Sequence, residues 1–165
     1  MAKKVIKMSL SVDSIENAIA ELKAFGDSLD RKKDKLLEEL ASIGVKEASV
    51  RFTTAMYDGV NDSSVTLETT TGGYAIVAEG HAVAFIEFGA GVYHNTGEPY
   101  PDPRPDGIVG IGEYGKGYGK RQAWGFRDED GELTITRGNP AAMPMWYASE
   151  EMRSKIQKIA QEVFG

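Results

Sequence analysis

The sequence predicts an α+β fold in which long helices at both ends of the chain flank a small antiparallel sheet of hairpins. Apolar residues recur at helical spacing near both termini, whereas the middle of the chain alternates between apolar and polar residues around short turns. No fixed-period repeat and no second core pattern is present, and 165 residues suit one domain. We therefore predict a single domain over residues 1–165.

The N-terminal segment predicts a short strand and a first helix. Residues 4–10 alternate in the manner of a strand with one buried face. Asp13 followed by Glu16 has the pattern of a helix cap with its capping-box partner. The next apolar residues share one helical face: Val12, Ile15, Ile19 and Leu22. Gly26 is expected to interrupt this helix.

A second helix is predicted from about Asp27. Its charged run at residues 30–35 carries both signs, which is typical of a solvated helix face. Gly44 is expected to weaken the helix, which resumes or kinks through residues 45–56. Its apolar stripe consists of Leu29, Leu36, Leu40 and Ile43.

Two hairpins and a short helix are predicted in the middle of the chain. Residues 65–70 and 74–79 alternate around Thr71-Gly72-Gly73, which is the clearest hairpin pattern in the sequence. Residues 82–88 are apolar except for Glu87, and we favour a helix there over a strand. Residues 124–127 and 133–136 bracket an acidic turn that ends in glycine, which predicts the second hairpin.

Residues 89–122 have a different character from the rest of the chain. They are rich in glycine and tyrosine and hold four of the six prolines. A stretch of this length without an element of its own is usually a functional loop or a disordered one. We predict an extended loop here.

A last helix is predicted after Pro140 and Pro144, because proline is tolerated in the first turn of a helix. Four apolar residues line one face of it: Met152, Ile156, Ile159 and Val163.

Charge and composition limit the function classes. The net charge of −6 disfavours general nucleic-acid binding, which depends on clustered Lys and Arg. The absence of cysteine excludes disulfides and thiolate metal sites. The N-terminus lacks the apolar region of a signal peptide, and no apolar stretch has the length of a membrane span. We therefore expect a chain that folds in the cytosol.

The glycine-rich stretch contains two phosphate-binding patterns, and each is incomplete. Gly110, Gly112 and Gly115 match G-x-G-x-x-G, but no clear strand precedes them and no helix is predicted to follow. Gly115-Lys116 ends a near P-loop whose Mg²⁺-binding Ser or Thr is replaced by Gly117. A small nucleotide-binding protein or enzyme that uses the loop around Lys116 is the alternative hypothesis for function.

No catalytic constellation stands out elsewhere. His81 and His94 are the only histidines, and their spacing from nearby glutamates matches no metal signature. There is neither a cysteine nor a G-x-S-x-G elbow for nucleophilic catalysis. We predict no catalytic, cofactor-binding or metal-binding residues and no cofactor, hence no enzyme.

Glu87 is the unusual residue of the sequence. Phe85, Ile86 and Phe88 surround it, so its carboxylate must be paired or must face out of the core. A hydrogen bond or ion pair within the chain is one interpretation. The other is a contact across a subunit boundary.

The order of these features resembles a family. Asn61-Asp62 leads into the first hairpin, and residues 85–91 (FIEFGAG) precede the glycine-rich loop. The second hairpin and then residues 138–145 (GNPAAMPM) lead into the last helix. This order resembles the head–tail connector or tail-completion proteins of long-tailed bacteriophages and prophages, which are also termed neck or minor capsid proteins. Ala90 stands where the family usually has Thr, and Met145 where an aromatic residue is common.

The resemblance implies a structural protein of the virion neck, assembled in the bacterial host cytoplasm. Such proteins form rings, often of six copies, and their partners are other neck proteins and the tail terminator or tail tube. Phage DNA passes through the lumen without specific binding, and no membrane is involved. Tyrosines on a glycine-rich loop supply contact area at low entropic cost. The predicted partner contacts are Glu87, Tyr93, Tyr100, Tyr114, Lys116, Tyr118, Arg121 and Trp124.

Overall fold

A computed structural model describes residues 5–57, 59–89, 124–127, 130–136 and 138–165. The fold is α+β, as predicted. The glycine-rich loop predicted at 89–122 lies outside the described residues, apart from Gly89. The elements in chain order are α1 (Val12–Thr54), β1 (Ser64–Thr70), β2 (Gly73–Glu79), α2 (Val83–Phe88), β3 (Trp124–Arg127), β4 (Leu133–Thr136) and α3 (Pro144–Phe164).

Helix α1 is one continuous helix of 43 residues, about 64 Å long. The predicted interruption at Gly26 is wrong, because a cost of about 1 kcal/mol for a helical glycine does not end a helix with a sustained apolar stripe. Gly44 does not break the helix either. It lies where α1 meets β2 and α3, and a Cβ on it would approach Met152 Sδ to 2.6 Å and clash with Ile76 Cδ1. The glycine therefore permits close packing.

The start of α1 also differs from the prediction. Ser11 is the N-cap, and its side chain accepts a hydrogen bond of 3.3 Å from the Ser14 amide. Asp13 lies in the first turn, where its charge favours the helix dipole. The predicted strand is wrong for residues 5–10, since alternation alone gives no strand without a partner, and each described strand pairs within its own hairpin.

Both predicted hairpins and the short helix α2 are confirmed. In the first hairpin β1 and β2 run antiparallel, with Val65 opposite Ala78 and Thr70 opposite Gly73. In the second hairpin Trp124 lies opposite Thr136. The two hairpins form separate two-stranded sheets among the described residues.

Helix α3 packs antiparallel against the C-terminal part of α1. The Arg51 guanidinium lies 3.9 Å from the centre of the Tyr147 ring, and Lys32 Nζ lies 5.8 Å from the centre of the Phe164 ring at the other end. Of the predicted apolar face of α3, Ile159 and Val163 are buried, Met152 is half-buried and Ile156 is largely exposed.

The core lies where α1, α2 and α3 meet. Its buried members are mostly small, so the three helices approach closely: Ala48, Phe52, Ala82, Ile86 and Ala148. This core fixes α2 beside the start of α3. No helix among the described residues combines the length and hydropathy needed to cross a membrane.

Candidate functional site

Helix α2 buries a carboxylate next to the core. Ile86 is fully buried and Phe88 nearly so, and Glu87 between them is only 4 % exposed. A charged carboxylate in such surroundings needs hydrogen-bond donors to offset its lost hydration. Those donors come from helix α3.

The donors are backbone amides in the first turn of α3. The Met145 amide donates to Glu87 Oε2 at 2.8 Å, and the Trp146 amide donates to Glu87 Oε1 at 3.1 Å. Amides at a helix start have no partner within the helix, and the helix dipole favours negative charge there. The N-cap residue Met143 supplies no side-chain hydrogen bond, so the Glu87 carboxylate from α2 serves as the cap.

Three further hydrogen bonds join the same two segments. The Ala142 amide donates to the Ile86 carbonyl at 2.9 Å, and the Met143 amide donates to the Glu87 carbonyl at 3.3 Å. Asn139, itself only 3 % exposed, donates from Nδ2 to the Phe85 carbonyl at 2.7 Å. We refer to residues 85–89 and 139–146 together as the clamp.

Gly89 closes the clamp. Its φ of 73° lies in the region that favours glycine, and a Cβ on it would come within 2.6 Å of the Ala141 nitrogen. The same Cβ would lie 3.1 Å from the Asn139 carbonyl oxygen. The chain therefore leaves the clamp at Gly89 and returns to it at Asn139.

A second carboxylate holds the other end of α2. Asp62 accepts hydrogen bonds from the amides of Ala82 and His81 at 2.9 and 2.8 Å, and from His81 Nδ1 at 2.9 Å. The amide of Ala82 first, and then His81, lower the pKa of Asp62 to about 2. The preceding Asn61 donates from Nδ2 to the Phe52 carbonyl at 2.8 Å. These two adjacent residues thus tie the start of α2 to the end of α1.

The geometry bears on both interpretations of Glu87. Each of its carboxylate oxygens accepts a backbone amide of the same chain, which is the arrangement expected for a structural hydrogen bond. A contact of Glu87 across a subunit boundary stays a prediction.

The other predicted contact residues are mostly beyond the described part of the chain. Trp124 begins β3. Outside the described residues lie the two phosphate-binding patterns, His94, and the candidates Tyr93, Tyr100, Tyr114, Lys116, Tyr118 and Arg121.

The described residues contain no cluster of three or more His, Asp or Glu side chains that could hold a metal ion. His81 is 92 % exposed, and its ring Nδ1 pairs with Asp62. The clamp has a structural role. It anchors the start of helix α3 and both ends of the segment between Gly89 and Asn139.

Two residues of this arrangement are not identifiable from the sequence. Asn139 is visible in the sequence only as part of the family-like order, because nothing there pairs it with Phe85, which lies 54 residues away. For Asp62 the sequence indicates only turn chemistry, although its partners lie 19 and 20 residues further along the chain. Glu87, by contrast, is identifiable from the sequence because apolar residues flank it.

No protein-family model, curated protein or solved structure matches this chain.

Replacing Glu87 by Ala should destabilise the fold, because the amides of Met145 and Trp146 lose a buried charged acceptor. We expect the free energy of unfolding in urea to fall by roughly 1.5–3 kcal/mol, the usual contribution of hydrogen bonds to a charged group. Glu87→Gln retains the size and one acceptor oxygen, so its loss should be smaller. Glu68→Ala, on exposed β1, is the control and should change stability by less than about 0.5 kcal/mol. Equal stability of Glu87→Ala and Glu68→Ala would refute the capping role.

The hydrogen bonds to Asp62 should make stability depend on acid pH. Since the pKa of Asp62 is lowered from 3.8 to about 2 in the folded chain, its contribution is complete above pH 4 and is lost as the pH falls through 2. Urea unfolding at several pH values should therefore show Asp62→Asn less stable than wild type at pH 6, with the difference shrinking below pH 4. His81→Ala is the matched control, because it leaves both backbone amides in place. A difference that does not change with pH would contradict this assignment.

Proposed function

We propose that the chain is a structural subunit of the joint between a bacteriophage head and its tail. In this proposal it acts as a head–tail connector or tail-completion protein, as one copy of a ring, and it carries out no reaction. Its partners are the neighbouring copies, other neck proteins and the tail terminator or tail tube.

The clamp is the observation that carries this proposal. The two segments in which the family resemblance is most specific, residues 85–91 and 138–145, are distant in sequence. Their described residues nevertheless bind each other through Glu87, Asn139 and the backbone. Residues that hold two segments together are what a structural motif requires, and each Glu87 oxygen accepts a backbone amide of this chain.

The position of the glycine-rich stretch gives further support. It begins at the clamp, so a rigid base holds its first residue, Gly89, against the Ala141 backbone. A segment rich in tyrosine and anchored in this way can supply contact area to a partner without moving the body of the protein. The net charge of −6 favours the solubility of unassembled subunits.

The test is a stop codon in the gene for this chain, within the phage or prophage genome that encodes it. Electron micrographs of the lysate should show filled heads and completed tails that are not joined. Purified wild-type protein added to that lysate should restore joined, infectious particles. As a control, a lysate that carries a silent change at the same codon should contain joined particles throughout.

Normal infectious particles from the stop-codon phage would refute the joining role. The joining role would also be refuted if the heads lacked DNA or if tails were absent, with no unjoined heads and tails present. Those defects arise in earlier steps of assembly.

A further inference from the structure

The N-terminal half of α1 extends beyond the helix that packs on it. The end of α3 lies beside Lys32, where the Phe164 ring is 5.8 Å from Lys32 Nζ. Residues 12–31 of α1 therefore continue for about 30 Å past the end of α3.

This extension carries an exposed apolar stripe with heptad spacing. Steps of three and four residues place its members at a and d positions, with Gly26 at the one a position that lacks a side chain. Lone exposed apolar residues are ordinary, whereas a row of them on one helix face indicates an interface. Exposed fractions are 71 % for Val12, 39 % for Ile15, 47 % for Ile19, 58 % for Leu22 and 36 % for Leu29.

The stripe is continuous with an established interface. The same heptad positions further along α1 hold Leu36, Leu40 and Ile43, which are half-buried, and Ile43 lines the groove between α1 and α3. Between the two parts, the a position is taken by Lys33, whose ammonium pairs with Asp30 at 3.6 Å and Asp34 at 3.3 Å. One half of the stripe is thus partly buried, and Lys33 separates it from the exposed half.

We propose that the exposed half of the stripe pairs with the same stripe of a second copy of this chain, antiparallel, as a two-helix coiled coil. Such a contact is two-fold symmetric and uses the same surface on both chains. It cannot by itself close a ring, so it is a further interface and does not depend on the proposed neck function.

Charge selects the antiparallel direction. Glu16 and Lys23 occupy successive e positions beside the stripe, and e positions face each other only when the helices run in opposite directions. The antiparallel pair therefore brings Glu16 of each copy near Lys23 of the other, twice by symmetry. In a parallel pair the e positions do not face each other, so Glu16 of one copy would not meet Lys23 of the other.

The length of the helix overlap and the space beside Gly26 also favour antiparallel helices. With Ile19 opposite Leu22 of the second copy, Val12 lies opposite Leu29, so the overlap ends before Lys33 and before α3. Ile15 then faces Gly26 of the second copy, and there is open space beside Gly26, with no atom within 4 Å of where its Cβ would be. Parallel helices would instead place both α3 helices at the same end, where they compete for the space beside α1.

Light scattering after size exclusion tests the pairing on the full chain. Wild type at tens of micromolar should have twice the chain mass of 17.9 kDa, and Leu22→Asp should have the mass of one chain and should still unfold cooperatively. The control Ala24→Asp, on the opposite exposed face of α1, should keep the double mass. A wild-type monomer, or an equal mass for Leu22→Asp and wild type, would overturn the proposal.

Disulfide trapping tests the direction, because the chain contains no cysteine. Under mild oxidation, a mixture of Val12→Cys and Leu29→Cys chains should form the mixed disulfide dimer, while neither variant alone should cross-link. Efficient cross-linking of Val12→Cys with itself would establish parallel helices and overturn the antiparallel arrangement, as would no cross-link in the mixture. Both tests can fail while the neck function stands, and both can succeed if the neck function is wrong.

Discussion

Two amides at the start of α3 donate to the Glu87 carboxylate in a place that water hardly reaches, since Glu87 is 4 % exposed. The amides have no acceptor within their own helix, and the carboxylate has little hydration, so each supplies what the other lacks. The pairing fixes the angle at which α3 starts from α2. The backbone hydrogen bonds of Ala142 and Met143 join the same two segments, and a Cβ on Gly89 would clash with the Ala141 nitrogen.

Helix α2 owes its position to polar contacts at both ends. It has only six residues, too few for an isolated helix to be stable in water. Asp62 holds the turn before α2 and Glu87 binds the start of α3 at its other end, while Ile86 fills the core between α1 and α3. This short helix thus connects the end of the longest helix with the start of the last one.

Most of the fold can be predicted from local sequence patterns. The first hairpin and α2 are predictable because their patterns are complete within a few residues, as at Thr71-Gly72-Gly73. The errors arise where a local preference is outweighed: Gly26 has a weak helix propensity, yet α1 continues through it. At the candidate site, Glu87 is recognisable as unusual from its apolar neighbours. Its donors at Met145 and Trp146 cannot be foreseen, because they lie 58 and 59 residues away and adjoin it only after folding.

Amide hydrogen exchange by NMR tests directly whether Glu87 holds the first turn of α3, because it reports on the two hydrogen bonds themselves. The amides of Met145 and Trp146 lie in a first turn, so without an acceptor they should exchange almost as fast as in an unfolded chain. We expect both to be strongly protected in the wild-type chain and to lose that protection in Glu87→Ala, which removes both acceptor oxygens, while amides in the middle of α3 stay protected. Fast exchange at both positions in wild type, or unchanged protection in the variant, would contradict the account.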